Sequence, residues 1–276
     1  MKLVRGKSGI VGIAGIQGGG SHTGLKSKGE RDMAVVKFPE PFNVAGVYTR
    51  NLAIAAPVTL TRERVREHGV AGSLVINTVF ANAITGPQGA ADAQEMADLV
   101  ESSFGGPGLV LSTGVIGHNL PMETIRTGIP TVEIGTAESD GQALAEAIMT
   151  TDTRSKTSNV TVDILDADGN VTGQQIAVGG SAKGSGMIHP NMATMLGVIA
   201  LDIAVDPESL NTMLTYAVDH SFHQISVDGD TSTNDTVLLF CPPAKGGDVL
   251  TVNDSRYPQI REAVRAVAND LAEQII

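Results

Sequence analysis

The apolar positions of the chain follow two repeats, one typical of strands and one typical of helices. Short runs rich in β-branched residues occur at 32–38, 43–49, 72–77 and 108–114. From Gly89 to Phe104 the apolar side chains recur every three or four residues instead, and Gly105 follows as a helix stop. The alternation of the two patterns predicts an α/β fold, with amphipathic helices lying on a sheet.

Local signals predict three further elements. Asp206 followed by Pro207 is a good N-cap with proline at the first helical position, so we expect a helix to begin there. The segment 159–180 is interpreted as a hairpin that turns around Asp168–Gly169, a dipeptide that tolerates positive φ. The last segment, 260–276, has one apolar face and ends on two isoleucines without a polar cap, which favours a chain cut short of its full length.

Composition limits the class of protein. The chain has 276 residues, 42% of them hydrophobic, and no linker or internal repeat, so we interpret 1–276 as a single domain. A net charge of −11 opposes binding to nucleic acid, which needs Lys and Arg to displace counterions. The opening apolar run is too short and too broken by glycine for a signal or membrane helix, and the lone Cys241 cannot form an internal disulfide. We therefore expect a cytoplasmic protein that binds neither nucleic acid nor a membrane.

Two glycine-rich stretches lack the spacing of phosphate-binding loops. The glycines at positions 12, 15 and 18 do not match the dinucleotide fingerprint, and a flexible start is the expected alternative. Lys183 stands among the glycines of 179–185 without the spacing of a P-loop. Neither stretch predicts a nucleotide site.

The most polar run, DGDTSTNDT at 228–236, allows two interpretations. Its three carboxylates and four hydroxyls are ligands that suit Mg²⁺. The same side chains are equally suited to a network of hydrogen-bonded caps in a tight turn. The six histidines are scattered without metal-ligand spacing, so a zinc site is not expected.

The stretch AKGSGMIHPNMATML at 182–196 raises the possibility of a threonine nucleophile. A threonine hydroxyl needs a base, and breaking the Ala193–Thr194 bond would supply one, because an α-amine has a pKa of about 7.7 to 8.0. Gly184, Gly186 and Pro190 suit a strained loop in front of Thr194. From these features alone, an ordinary glycine-rich loop before a strand is the simpler interpretation.

Three long motifs change that balance. MTTDT at 149–153, AKGSGMIHPNMATML at 182–196 and VDGDTSTNDT at 227–236 together resemble the ornithine acetyltransferase family, the bifunctional glutamate N-acetyltransferases of arginine biosynthesis. The similarity covers nearly the whole chain. It implies a layered sandwich of stacked β-sheets with helices on the outer faces, similar to self-processing N-terminal-nucleophile enzymes. It also favours the network interpretation of the polar run over a metal site.

The resemblance assigns roles to residues. Thr194 would cut the chain after Ala193 and then carry the acetyl group, which implies chains 1–193 and 194–276 that assemble into a heterotetramer. Thr113 and Gly114 would form the oxyanion hole. Thr150 and Lys183 would bind substrate, although Thr151 and Thr153 lie close enough in sequence to leave the choice of Thr150 open.

The implied reaction is ping-pong. N-acetylornithine would acetylate the threonine, and glutamate would take the acetyl group, with no cofactor and with acetyl-CoA as a possible second donor. Two alternatives remain: a self-processing aminopeptidase with the same activated threonine, and an inactive remnant that folds without processing.

The chain departs from the family pattern in two places. The family usually has a loop like NSGNANACTG at 77–86, where Val79 and Phe80 here replace a small and a polar residue, so we expect an altered pocket nearby. Members of the family also continue past residue 276 into a segment with a substrate-binding glutamate and further substrate contacts at the C-terminus.

Overall fold

The computed structural model describes residues 2–4, 8–166, 168–189 and 195–276. Within these ranges, nine strands are present: β1 (Lys2–Val4), β2 (Gln17–Ser21), β3 (Met33–Tyr48), β4 (Val70–Asn77), β5 (Gly108–Ser112), β6 (Lys156–Leu165), β7 (Val171–Lys183), β8 (Leu196–Leu201) and β9 (Thr236–Cys241). The same ranges contain six α-helices: α1 (Ala56–His68), α2 (Gly86–Phe104), α3 (Met122–Gly128), α4 (Glu138–Ala147), α5 (Pro207–Asp219) and α6 (Tyr257–Ile275).

All of these strands belong to one mixed sheet. Its order is β1-β6-β7-β8-β9-β3-β4-β5, and β2 pairs with β3. The β4–β5 and β8–β9 pairs are parallel and the others antiparallel. The strands predicted at 32–38 and 43–49 are the two arms of β3, which is irregular between Lys37 and Phe42. Pro39 and Pro41 lie in this interval and lack the amide hydrogens that a regular ladder needs.

The sheet folds on itself, so that its two halves enclose an apolar interior. The faces alternate along each strand, as in β8, where Val198 points into this interior and Ile199 points towards the layer of α5 and α6. On the other half, Ile76 of β4 faces the interior and Val75 faces α2. The predicted α/β layers with helices on the outer faces are confirmed, and the stacked sheets are two halves of one hydrogen-bonded sheet.

Several local predictions are confirmed. The Asp206 carboxylate accepts hydrogen bonds from the amides of Glu208 and Ser209 at 3.1 and 3.2 Å, and α5 follows. Strands β6 and β7 form the predicted hairpin. Helix α2 ends at Phe104, and Gly105 follows with φ 94°. Each of these features depends on neighbours within a few residues.

The expectation of a flexible N-terminal start is wrong. Ile10, Ile13 and Ile16 are buried in the interior between the two halves of the sheet. A Cβ atom on Gly19 would lie 2.0 Å from the Glu133 carbonyl oxygen, so glycine allows two backbones to approach closely there. The glycines of this segment serve tight packing, which their spacing alone does not distinguish from flexibility.

Candidate active site

A cavity of about 590 Å³ opens beside the ends of three interior strands of the sheet. Strand β7 ends with Lys183, which pairs with Leu196 at the start of β8. Leu196 pairs in turn with Thr236 at the start of β9. Three strand ends therefore meet beside the cavity. The lining residues are Lys26, Glu30, Val79, Thr113, Gly114, Val115, Thr150, Thr151, Lys183, Gly186 and Met187.

Four of the residues predicted for the site line this one cavity. Thr113 and Gly114 directly follow β5, Thr150 lies in the loop after α4, and Lys183 is the last residue of β7. The cavity thus brings together four predicted positions that lie up to 70 residues apart in sequence. Thr151 also lines it, whereas Thr153 is not among the lining residues. Their assigned roles stay predictions.

The other two predicted site residues, Ala193 and Thr194, lie outside the described residues. Their neighbours are described on both sides. Met187, seven residues before Thr194, lines the cavity, and Met195, directly after Thr194, is buried and precedes β8.

The Thr113–Gly114 turn is fixed by backbone pairing with the loop after β4. The Thr113 amide donates to the Asn77 carbonyl at 3.0 Å, and the Val115 amide donates to the Val79 carbonyl at 2.8 Å. Gly114 has φ 134°, and a Cβ atom there would lie 2.2 Å from the Val79 carbonyl carbon, so only glycine fits. No described residue accepts a hydrogen bond from the Gly114 amide, which leaves this donor available to a ligand.

Lys183 is a buried basic residue that lines the cavity. Its Nζ atom lies 3.3 Å from the Thr113 hydroxyl oxygen and donates to it. Because the hydroxyl oxygen accepts this bond, its own hydrogen is free to point at a ligand. Burial lowers the pKa of Lys183, and the charge of Lys156 adds to that effect, while Asp152 and Asp235 oppose it.

Asp152 is a buried acid near the two buried lysines, Lys156 and Lys183. Its Oδ1 atom accepts from the Lys156 ammonium at 2.5 Å and from the Gly184 amide at 2.7 Å, and its Oδ2 atom accepts from the Thr150 amide at 3.0 Å. Burial alone would raise the pKa of Asp152, but the charge of Lys183 and these hydrogen bonds outweigh it, so the pKa lies below its usual range. An ionised Asp152 therefore holds Lys156 and the backbone at Gly184, and it attracts Lys183 electrostatically.

The hydrogen bonds of the polar run 228–236 agree with the network interpretation. Asn234 donates to the carbonyls of Ala81 and Ser112 at 2.6 and 2.9 Å, which joins the two loops beside the Thr113–Gly114 turn. Asp228 accepts from the amides of Met187 and Ile188. Within the described ranges, no group of three or more His, Cys, Asp or Glu side chains is arranged to hold a metal ion.

Asp235 is the functional candidate that sequence reasoning missed. It is fully buried, its Oδ1 atom accepts from the Met195 amide at 2.9 Å, and its Oδ2 atom has no hydrogen-bond partner in the described part of the chain. Burial raises the pKa of Asp235 to about 7, against the opposing effects of the Met195 amide, the nearby Ser232 hydroxyl and the Lys183 charge. The only sequence signal was its position directly before the apolar strand TVLLFC, and two other acids of the run offered the same chemistry.

The fold is shared with a class of aminopeptidases. The L-aminopeptidase D-Ala-esterase/amidase from Ochrobactrum anthropi, described as a variant of the Ntn hydrolase fold, superposes with a TM-score of 0.53 at 13% identity, over 99% of this chain and 87% of that chain. Identity this low shows the fold alone.

Sequence similarity identifies the family. The ArgJ family model matches residues 17–276. The arginine biosynthesis bifunctional protein ArgJ of Geobacillus kaustophilus is 41% identical over 271 residues, which cover 96% of this chain and 64% of the relative. The chain therefore belongs to the ArgJ family, and it spans less than two thirds of the length of this relative.

Two solved structures of related proteins are similar as well. The arginine biosynthesis bifunctional protein ArgJ from Bacillus halodurans has a TM-score of 0.63 and 36% identity, over 70% of this chain and 98% of that chain. The ornithine acetyltransferase from Mycobacterium tuberculosis, complexed with ornithine, has a TM-score of 0.60 and 35% identity, over 69% of this chain and 98% of that chain. No helix in the described ranges has the length and apolar character needed to cross a bilayer.

Proposed function

We propose that this chain carries the self-processing and acyl-transfer centre of an arginine-biosynthesis enzyme, which moves an acetyl group from N-acetylornithine to glutamate through Thr194. The observation that carries the proposal is one cavity that is lined by Thr113, Gly114, Thr150 and Lys183. It lies where β7 ends and β8 begins. Strand β8 directly follows Met195, whose amide is hydrogen-bonded to Asp235. The proposed nucleophile, Thr194, is therefore the sequence neighbour of a residue held in place by this bond.

Processing would begin with attack of the Thr194 hydroxyl on the Ala193 carbonyl carbon. The C–N bond of that peptide breaks as a C–O ester bond forms, and the proton leaves the hydroxyl oxygen for the departing nitrogen. Water then hydrolyses the ester, which releases the Ala193 carboxylate and leaves Thr194 with a free α-amine. Because this amine has a pKa of about 7.7 to 8.0, it can accept the hydroxyl proton in later turnovers.

Transfer would use the same oxygen twice. The Thr194 hydroxyl attacks the acetyl carbonyl of N-acetylornithine, ornithine leaves as the free amine, and the glutamate amine then attacks the acetyl ester. The negative oxygen that develops in each step needs fixed donors, and the Gly114 amide and Thr113 hydroxyl are both available for that purpose. The Lys183 ammonium suits a substrate carboxylate.

One comparison agrees with the expected length of the larger fragment. The solved ArgJ chain from Bacillus halodurans corresponds to 70% of this chain over 98% of its own length. Seventy per cent of 276 residues is about 193 residues, the length of the fragment 1–193 that cleavage before Thr194 would release.

The finer parts of the proposal rest on the family resemblance. They are amino acids as substrates, acetyl-CoA as a second donor, assembly of 1–193 and 194–276 into a heterotetramer, and a location in the cytoplasm. The ornithine in the Mycobacterium tuberculosis structure supports an amino-acid substrate here. The curated relative extends well beyond the matched region, so transfer activity is proposed for the centre that these residues form.

Intact mass spectrometry tests the processing step. We expect the purified chain to give two pieces of 193 and 83 residues. Thr194→Ala, which lacks the hydroxyl, should remain one piece, while Thr194→Ser, which retains it, should still be cut. A single piece in both the native chain and the serine variant would remove the proposed base and refute the mechanism.

A transfer assay tests the chemistry independently. Incubation with isotopically labelled N-acetylornithine and glutamate should give labelled N-acetylglutamate, and Thr194→Ala should give none. Release of free amine from peptides without acetyl transfer to glutamate would instead assign the aminopeptidase activity.

A further inference from the structure

Two β-branched residues in the loop between β4 and α2 have a left-handed backbone. Val79 has φ 74° and Ile84 has φ 56°. Branched side chains are genuine outliers in this region, because the second Cβ substituent clashes with the backbone. Such conformations persist only where the surrounding structure holds them, and they concentrate at ligand-binding sites. Each one therefore calls for a physical explanation.

The conformation of Val79 is held by contacts with the Thr113–Gly114 turn and with Val115, which follows it. Its carbonyl accepts a hydrogen bond of 2.8 Å from the Val115 amide, and the Ala81 amide donates to the Val115 carbonyl at 2.9 Å. Gly114 packs directly against the Val79 backbone, which leaves no room for a Cβ atom between them. Val79 is thus held by Val115 through a hydrogen bond and by Gly114 through a backbone contact, and it lines the cavity.

The lining of the cavity combines two kinds of side chain. Lys26, Glu30 and Lys183 supply charge, whereas Val79, Val115 and Met187 supply apolar surface. If the acyl carbonyl of a ligand binds at Thr113–Gly114, as the proposed function requires, the group attached to its carbonyl carbon comes next to Val79 and Val115. The reason is that Gly114 packs against the Val79 backbone and directly precedes Val115.

We propose that Val79 is a specificity-determining residue whose side chain, together with Val115, limits the cavity to N-acyl amino acids with a short apolar acyl group. The inference rests on the proposed function in one respect, the binding of the acyl carbonyl at Thr113–Gly114. The isopropyl group of Val79 fills the space of about three carbon atoms, so its removal makes room for about three further acyl carbons. The left-handed backbone is the cost of placing a branched side chain there.

Ligand binding to the full 276-residue chain tests this inference without requiring turnover. The probes are N-acetyl-, N-butanoyl- and N-hexanoyl-L-ornithine, measured by calorimetry on the native chain, Val79→Gly, Val79→Ala and Ile84→Gly. We expect the native chain to bind the acetyl probe at least about tenfold more tightly than the hexanoyl probe. Val79→Gly should let the butanoyl probe, which adds two carbons, bind as tightly as the acetyl probe, and it should reduce the preference over the hexanoyl probe, which adds four. Val79→Ala should have a smaller effect on both.

Ile84→Gly is the matched control. Ile84 has the same left-handed backbone, is 70% exposed, and lines a different hollow from the cavity with Thr113. Both glycine variants relieve backbone strain, so both should unfold at a higher temperature than the native chain. Only Val79→Gly should alter the acyl-length preference.

Three outcomes would overturn the inference: Val79→Gly retains the native preference, Ile84→Gly shifts it equally, or the native chain binds none of the probes. Failure of the proposed function is separate from these outcomes. If the preference and its loss are seen while the chain neither cuts itself nor transfers acetyl, the function proposed above is wrong and the assignment of Val79 stands.

Discussion

The carboxyl group of Asp235 accepts a hydrogen bond of 2.9 Å from the backbone amide of Met195, so a buried acid is held against the residue that directly follows Thr194. The Met195 carbonyl accepts in turn from the Thr236 amide at 3.2 Å. These two bonds fix the first described residue after the proposed cleavage position to the start of β9. Precise placement of a nucleophile requires supporting contacts of this kind.

Asp235 should make stability depend on pH. Burial raises its pKa to about 7, whereas the unfolded chain releases this proton near pH 4. Between these values the unfolded state binds fewer protons than the folded state, so stability falls as pH rises, by a total on the order of 4 kcal/mol for this group. Asp235→Asn retains an acceptor for the Met195 amide and removes the titration. Urea midpoints at pH 5 and pH 8 should therefore differ much less in this variant than in the native chain.

Asp228 provides the control for that measurement. It lies in the same polar run, and backbone hydrogen bonds from Met187 lower its pKa, so it stays ionised throughout this pH window. Asp228→Asn should leave the native difference between pH 5 and pH 8 intact. An equal change in both variants would show that Asp235 does not titrate in this range.

The hydrogen bond of Asp152 to Lys156 and its electrostatic attraction to Lys183 predict strong coupling. Asp152→Asn would leave Lys156 buried without this anionic partner and would remove the larger of two attractive charges near Lys183, which should cost about 3 to 5 kcal/mol of the free energy of unfolding. Adding Lys156→Met to this variant should recover part of the loss, because one unpaired charge disappears. Urea unfolding of the native chain, the two single variants and the double variant gives the coupling energy. Strict additivity would contradict the shared electrostatic cluster.

Gly114 and Gly117 separate a steric effect from a conformational one. Both have positive φ, but a Cβ atom on Gly114 would lie 2.2 Å from the Val79 carbonyl carbon, whereas one on Gly117 would meet nothing within 4 Å. Gly117→Ala should cost about 1 kcal/mol through backbone strain alone. Gly114→Ala should lower the free energy of unfolding by at least about 2 kcal/mol more, since two backbones must separate. Gly114→Ala should also weaken binding of N-acetylornithine, because it would displace the Thr113–Gly114 turn, the proposed oxyanion hole. Equal losses of stability would show that the turn is not tightly packed.

Contacts between neighbouring residues explain which local elements were predictable. The Asp206 cap acts on amides two and three residues away, and Gly105 ends α2 through its own backbone, so sequence patterns are sufficient for both. The N-terminal glycines were misread because close approach to the Glu133 carbonyl involves a partner more than 100 residues away. Chain continuity through the two prolines of β3 was missed for a similar reason, since pairing with β2, β4 and β9 holds that strand extended.

The sequence by itself determined the class of fold, the helix caps, the hairpin and the residue types of the proposed threonine-based acyl-transfer centre. Tertiary structure decided which of those residues meet: it placed Lys183 against Thr113, chose Asp235 as the acid that is buried, and forced Val79 into a left-handed backbone beside Gly114. The physical reason is that periodicity and capping depend on interactions a few residues apart. Burial, pKa and backbone strain depend instead on which distant segments the folded sheet brings into contact.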